Sequence, residues 1–359
     1  MFYAVIMAGG SGTRLWPVSR KKRPKQSQKI VGNRTLLQKT FTRLRKAVDS
    51  KHILITTGAS NLRDIKKQLP SLQRSNFSVE PERRDTGPAL GLAAVTLEKR
   101  DPEAIMSCVY SDHYIIDEDE YRRIARLAES LISKKPDYTV ILGINPTYPE
   151  TGYGYIERAR LFEKRGKSEI YYVKKFVEKP NLKTAENYLK TGRYLWNSGM
   201  FFWKVKTLLE LFEKNLPDTY KRLRRIQKAL GTKDQKNVLK KEYHKIKAIS
   251  IDYGVVEKTK KILTIPSEFG WSDIGHWQSV KAILPCDDKD NFTKCHHVGL
   301  ETDGSLIYAP RRKIVATIGL RDMIVIDTDD ALLICPKNRA QDVKKLVQEL
   351  EKNGKTKYL

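Results

Sequence analysis

Residues Val5 to Gln26 read VIMAGGSGTRLWPVSRKKRPKQ: an apolar strand breaks into glycines, then an arginine, then a basic run that ends on Pro24 and Lys25. No acid occurs before Asp49. A strand that runs into Ala8, Gly9, Gly10, Ser11, Gly12 and Thr13 lets backbone N–H groups come close to an anion, because glycine has no side chain in the way and accepts positive φ. The dinucleotide pattern GxGxxG would need glycine at position 15, which is Leu15, and the GK[ST] of a Walker loop is missing. A Rossmann dehydrogenase and a P-loop ATPase therefore both fail. A phosphate loop followed at once by Arg14 remains, with Lys25 behind Pro24, whose ring fixes the backbone ahead of the lysine. On these residues alone, a tight turn leading into a solvated basic loop is equally open.

Outward from this stretch, short apolar runs alternate with amphipathic helical patterns up to about residue 280, the pattern of an α/β sheet layered by helices. FYAVIMA, HILITT, AIMSCVY, YTVILGI, IYYVKKFVE and GMFFW read as strands. Leu36, Leu37, Phe41, Leu44 and Val48 recur at helical spacing, as do Leu90, Ala93, Ala94 and Leu97. After Pro285 the texture changes to brief strands, HHVGL, SLIYAP, KIVATIGL, MIVIDT and ALLICP, and then a helix carrying Val343, Leu346, Val347 and Leu350. The expected division is residues 1–283 for the α/β domain and 284–359 for an all-β unit with a helical tail.

The 359 residues suffice for about two domains with their own cores. No apolar run reaches the roughly 18 residues of a membrane span, and the N-terminus has no cleavable signal pattern, so a cytoplasmic protein with no membrane partner is expected. The four cysteines form no CxxC pair and read as reduced thiols. The 68 Lys+Arg against 42 Asp+Glu give a formal charge of +26, which draws something negative: nucleic acid, anionic small substrates, or neither if the charge reflects life at high temperature. Much of the excess lies between Lys221 and Lys247, which reads as solvated helical faces. Cys286, Cys295, His296 and His297 match no compact zinc spacing, and adjacent histidines on a strand point to opposite faces. Trp196, Trp203, Trp271 and Trp277 read as core packing in preference to stacking platforms for single strands.

GGSGTRLWP with RPKQ resembles the signature of the sugar-1-phosphate nucleotidylyltransferases, in particular their mannose-1-phosphate guanylyltransferase branch. The resemblance continues in order through ERRDTGPAL, SDH, PETGYGYI, FVEKP, LWNSGMFFW, SIDYGVVEK and GWSDIGHW, over nearly the whole chain. It implies a Rossmann-like mixed-sheet nucleotidyltransferase domain followed by a small left-handed β-helix. The implied reaction makes GDP-mannose and pyrophosphate from mannose 1-phosphate and GTP with Mg2+, in a homodimer with no specific nucleic-acid partner. The chain is too short for the isomerase domain that the family often carries, so one activity is expected.

The reaction is physically plain. A phosphate monoester with a second pKa near 6 is already an ionised nucleophile at neutral pH, so no general base is needed. The obstacle is repulsion between two polyanions, which calls for fixed cations and a metal. By resemblance, Arg14 and Lys25 embrace the triphosphate and Lys179 holds the sugar phosphate. Asp112 and Asp273 are the metal pair, hard carboxylate oxygens that leave other positions to phosphates. An Asp in SDH could instead cap a helix, and one in WSD could close an Asx turn. Gly154, Glu178, Asn197 and Gly199 are implied for the sugar, and Ala8, Gly9 and the segment Asp85, Thr86 and Gly87 for the base. The chain departs from the family pattern at Asp85 and Gly87, where Asn and Ala are usual, at Ser27 in place of an aromatic, and at Tyr110 in place of a proline. Another hexose 1-phosphate or nucleotide, or an inactive relative that docks on RNA or protein, are the competing readings.

Overall fold

The computed structural model describes every residue except Ser11, so the nucleotide-binding expectation for Ser11 lies outside the described residues. The chain divides into two compact units. One comprises Met1–Gly9, Phe41–Ser111 and Asp117–Trp271, and the other Gly10–Thr40, Asp112–Ile116 and Ser272–Leu359.

The larger unit is built on strands β1 (Phe2–Met7), β2 (Ile53–Gly58), β3 (Phe77–Glu80), β4 (Ile105–Tyr110), β5 (Thr139–Ile144), β6 (Gly154–Arg165), β7 (Ser168–Glu178), β8 (Tyr194–Lys204) and β9 (Ile262–Ser267). They form one mixed sheet in the order β3-β2-β1-β4-β8-β5-β9-β7-β6, with β6 also pairing with β8. The first four are parallel; β1, β2 and β4 are buried, which is why their sequences are near-continuous apolar runs, whereas β3 at the sheet edge alternates between buried and half-buried positions. The six expected strands all form. β3, β6 and β9 went unread for local reasons: β3 is four residues long, β6 carries Glu157, Arg158, Arg160, Glu163, Lys164 and Arg165, and β9 contains Pro266.

The strand order fixes where a ligand can sit. From β1 the chain runs to β2 and β3 on one side and returns to β4 on the other, with Met7 opposite Tyr110. At such a reversal the connections diverge and leave a crevice beyond the carboxyl ends of the strands. Ala8 and Gly9 leave β1 there, and Ser111 leaves β4 with its N–H on the Met7 carbonyl at 3.1 Å. The helix Thr86–Arg100 packs beneath, with Leu90, Ala93, Ala94 and Leu97 buried in the same core as Val5, Met106, Phe201 and Trp203.

In the smaller unit, β10 (Phe292–Lys294), β12 (Leu306–Tyr308) and β14 (Met323–Asp327) stack in parallel, as do β11 (His296–Leu300) and β13 (Ile314–Ile318). An antiparallel β15 (Leu332–Pro336) closes the first stack on β14. This is a β-helix-like array of short parallel coils, capped by the helix Val343–Lys352. Its core holds Leu306, Ile324, Ile326, Leu333, Val343 and Val347 together with Leu15, Trp16, Ile30, Leu36, Ile274 and Trp277. The loop after β1 and the GWSDIGHW segment thus share one apolar core with the coils. The Trp277 indole donates to the Trp16 carbonyl at 2.9 Å, and the Trp16 indole to the Tyr358 carbonyl at 2.8 Å. The four tryptophans read as core are all buried.

Candidate functional site

Three expected residues from three separate motifs meet on one ammonium group in the smaller unit. Lys25 Nζ donates to Asp112 Oδ2 at 2.7 Å and also to the Asp273 carbonyl. Lys25 opens a single helical turn behind Pro24, whose φ of −66° and ψ of 159° present an extended backbone just before it. Its side chain is only 8% exposed. Gly12 is a glycine for this reason: its φ is +63°, and a β-carbon there would strike the Lys25 side chain and come 2.9 Å from Ser19 Oγ. A β-carbon at Gly9 or Gly10 meets no described atom within 4 Å.

The helix after SDH, Glu118–Lys134, takes its cap from Asp117, whose Oδ1 accepts from Glu120 N at 2.9 Å, so Asp112 does not cap it. Asp273 does close an Asx turn, Oδ1 accepting from Gly275 N at 2.7 Å. The turn is strained, since the buried β-branched Ile274 stands at φ +48°. Carboxylate oxygens are hard donors of the kind that suit a small divalent cation whose shell is completed by phosphate oxygens. Among the described residues no group of three or more His, Cys, Asp and Glu could hold a metal ion. Arg14 lies apart from this trio, its guanidinium donating to Gln341 Oε1 at 2.8 Å. His113 is buried.

The residues implied for the sugar converge in the larger unit because strand register brings them together. Gly154 pairs directly with Glu178, and Trp196, next to Asn197, pairs with Tyr155, next to Gly154. A β-carbon on Gly154 would strike Glu178 Oε2 and lie 3.2 Å from Asn197 Cβ, and one on Gly199 would lie 2.6 Å from the Tyr110 ring. The unusual Tyr110 therefore fills the space beside Gly199, where φ is +71°. Lys179, at φ +49°, pairs with Glu178 Oε1. The other oxygen, Glu178 Oε2, is shut off from water with no hydrogen-bond partner. Leaving a buried polar atom unpaired costs about 1–3 kcal/mol, and more for a charged group, so this oxygen calls for a physical reason.

Asp252 belongs to this cluster and was not singled out, although it stands in the quoted SIDYGVVEK. Its Oδ1 accepts from Asn197 Nδ2 at 2.9 Å, and Asn197 Oδ1 accepts from Gly199 N at 2.9 Å, which fixes the amide orientation. Burial, with Glu178 adding repulsion, pushes the Asp252 carboxyl from 3.8 up to about 6, against the opposing hydrogen bond from Asn197. Lys179 is held above its ordinary value: burial, the largest influence, pulls it down, but its bond and attraction to Glu178 outweigh that.

A carboxyl raised on folding stabilises fully below its unfolded value and loses that contribution as pH rises through the folded one. Asp252, whose side chain is half-buried, should therefore make the folded state lose of order 2 kcal/mol between about pH 4 and pH 7. Asp252→Asn should flatten that slope in urea unfolding followed at several pH values. An unchanged slope would show that the carboxyl titrates alike in both states.

The segment expected at the base is wired to the same cluster. Asp85, at φ +69°, caps the helix with Oδ1 on Thr86 N at 2.7 Å. Gly87 N donates to Ile249 O at 3.0 Å, Ile251 N donates to Thr86 Oγ1 at 2.9 Å, and a β-carbon on Gly87 would lie 2.7 Å from Ile249 O. Ile251 directly precedes Asp252. Of the six described non-glycine residues at positive φ, Asp85 and Lys179 are expected site residues and Ile274 adjoins one. Strain of this kind, roughly 1–3 kcal/mol each, collects where side chains must be aimed.

A reversal-point crevice, a cation bridging two aspartates and a carboxylate-lined subsite define a class of protein that handles phosphorylated sugars and nucleotides. The chain belongs to the nucleotidyl transferase family, whose model matches residues 3–287, and a MannoseP isomerase/GMP-like beta-helix domain matches residues 295–350. It is 36% identical over 99% of its length to the mannose-1-phosphate guanylyltransferase of Escherichia coli K12, covering 75% of that protein. A Klebsiella pneumoniae protein of the same name is 34% identical, with 100% of this chain and 76% of that one covered. Among solved structures, a mannose-1-phosphate geranyltransferase from Thermus thermophilus superposes with TM-score 0.85 at 33% identity, covering 98% of this chain and 99% of that one. A mannose-6-phosphate isomerase from Helicobacter pylori, at 24% identity and TM-score 0.60 over 75% of this chain and 99% of that one, shares the fold.

Proposed function

We propose that this nucleotidyltransferase makes GDP-mannose: a phosphate oxygen of mannose 1-phosphate attacks the α-phosphorus of GTP, the α–β bridging P–O bond breaks, and pyrophosphate leaves with that oxygen. The observation that carries the reading is the Lys25 ammonium joined to Asp112 and to the Asp273 backbone. In this reading Lys25 counters charge that builds on the α-phosphate, Arg14 steadies the triphosphate, and Lys179 receives the sugar phosphate. Asp112 and Asp273 would hold Mg2+, which when bound neutralises phosphate charge and helps align the attack. Glu178, with its orphaned Oε2, and Asp252 accept from sugar hydroxyls, and Asn197 keeps Asp252 in place. Ala8, Gly9 and Asp85 to Gly87 read the base.

A cytoplasmic location belongs to the same proposal and is supported by the four free thiols. Among the described residues no helix is long and apolar enough to cross a membrane. A homodimer is favoured by the β11–β13 face, where Val298, Leu300, Ile314 and Ile318 are 58–80% exposed and Leu300 lies opposite Ile318. A monomer in sedimentation at micromolar concentration would remove that part.

The deciding assay offers each of the common nucleoside triphosphates with a panel of hexose 1-phosphates and Mg2+ and measures pyrophosphate. Release chiefly with GTP and mannose 1-phosphate is expected. Silence across the panel by folded protein would sink the proposal.

A further inference from the structure

A cavity of about 1210 Å³ opens in the larger unit, and none of the residues assigned above lines it. Its floor is aliphatic and aromatic: Leu62, Phe77, Val79, Leu92, Leu230 and Leu239. Its rim is cationic. Lys66 stands on the helix Leu62–Gln68, Lys99 and Arg100 end the helix Thr86–Arg100, Lys236 and Lys240 stand on the helix Gln235–His244, and Arg74 and Lys233 complete the ring. Among the described residues none of these seven has a carboxylate within ion-pairing distance, in a chain that pairs many of its surface charges. The lining's single acid, Glu82, is engaged by Arg84 at 3.0 Å and His244 at 2.9 Å.

Two further observations make this a formed site instead of a gap between helices. Tyr243 Oη donates to the buried Glu80 carboxylate at 2.9 Å, which pins the helix Gln235–His244 to β3 and holds two walls together. Ser78 also lines the cavity, on the sheet's edge strand, with a hydroxyl shut off from water and without a hydrogen-bond partner.

Lys99 donates to the Gln227 and Leu230 carbonyls and Lys66 lies over the Phe77 ring, but cations without carboxylate partners around a low-dielectric hollow still select an anionic occupant, and the floor selects one with apolar side chains. The volume exceeds the roughly 300–1,000 Å³ usual for one small molecule, which favours a length of polypeptide. A single nucleic-acid strand would stack on open aromatic faces, yet among the described lining residues the one Phe, Tyr or Trp, Phe77, has Lys66 Nζ over its ring at 5.7 Å, and the His244 ring is engaged by Glu82 at 2.9 Å. Five of the seven cations are lysines, point charges suited to scattered carboxylates more than to bidentate phosphate recognition. We propose that this cavity docks an acidic amphipathic segment of a partner protein, with its leucine-like side chains on the floor and its carboxylates on the lysine rim.

The probe is a fluorescein-labelled Leu/Glu peptide with leucines at helical spacing, compared by anisotropy with an equally charged polyglutamate. The Leu/Glu peptide should bind in the micromolar range, at least about tenfold more tightly than polyglutamate. Lys236 and Lys240 are exposed, so Lys236→Glu/Lys240→Glu should fold and turn over like the parent while losing about tenfold or more in peptide affinity. Leu239→Asp should abolish the preference over polyglutamate. Equal binding of the two peptides would overturn the proposal, because a net charge of +26 attracts any anion. So would displacement of the peptide by a tighter-binding oligonucleotide, or self-association that the double variant abolishes, which would give the groove to a second copy of the chain.

Discussion

Lys25→Ala should lower kcat by about 10³-fold while the KM for GTP changes by less than about tenfold. A preorganised donor aimed at charge that develops in the transition state is worth roughly 10²–10³ in rate, and a full cation on a transferring phosphoryl group up to about 10⁵. In the proposed role Lys25 is such a group, its ammonium held in place by Asp112 Oδ2 at 2.7 Å and by the Asp273 carbonyl. In the proposed site the ground-state triphosphate is also held by Arg14, so binding should suffer less than turnover. Removing the ammonium also leaves Asp112 without its partner. Asp112 retains 23% side-chain exposure, so the stability cost should stay near 1–2 kcal/mol, below that of breaking a fully buried pair. Lys25→Arg should not restore turnover, because a planar guanidinium fork cannot reproduce the compact ammonium that donates to Asp112 Oδ2 and the Asp273 carbonyl from one point. Pyrophosphate release and urea unfolding on the same preparations test this. Turnover within about threefold of the parent, in folded protein, would mean the ammonium is a structural tie and the catalytic reading fails.

The sequence carried this part of the molecule well because each motif is local. A strand that ends in glycines, a lysine behind a proline and an aspartate after an apolar strand are readable within a few residues, and their meeting on one ammonium required only that the matched motifs belong together. The sugar cluster was harder to see. Glu178 and Gly154 oppose each other across β6 and β7, and β6 hid behind its charges, so register could not be read. Asp252 is invisible as chemistry until Asn197 is seen to donate to it from a strand 55 residues earlier. The grouping of Gly10–Thr40 with the C-terminal coils depends on Trp16 and Trp277 sharing a core, a contact between residues 261 apart that no periodicity encodes. The Lys221–Lys247 surface read as solvated helical faces; that Lys233, Lys236 and Lys240 surround a cavity depends on packing against β3, itself unread.

Asp273→Asn separates the two meanings of that residue more cleanly than any truncation. If Asp273 only closes its turn, asparagine is nearly neutral, because its amide oxygen can accept from Gly275 N as Oδ1 does now at 2.7 Å, and asparagine is a preferred residue for this turn. Folding stability should then stay within about 0.5 kcal/mol of the parent. If it is also a metal ligand, the lost charge removes a hard anionic oxygen from a set of two, and the ion must rely on Asp112 and the phosphates. We expect the second result: unchanged urea unfolding, a Mg2+ activation midpoint raised about tenfold or more, and kcat lowered about 10²-fold even at saturating metal, because the ion no longer sits where Lys25 needs it. Asp273→Ala should be worse on both counts, since it loses the Gly275 bond and leaves the strained Ile274 without the turn that holds it at φ +48°. Titration of Mg2+ against pyrophosphate release reads the difference. An asparagine variant with the parent's metal dependence would leave Asp273 as turn chemistry alone, and would require the divalent ion to be held by Asp112 and substrate without it.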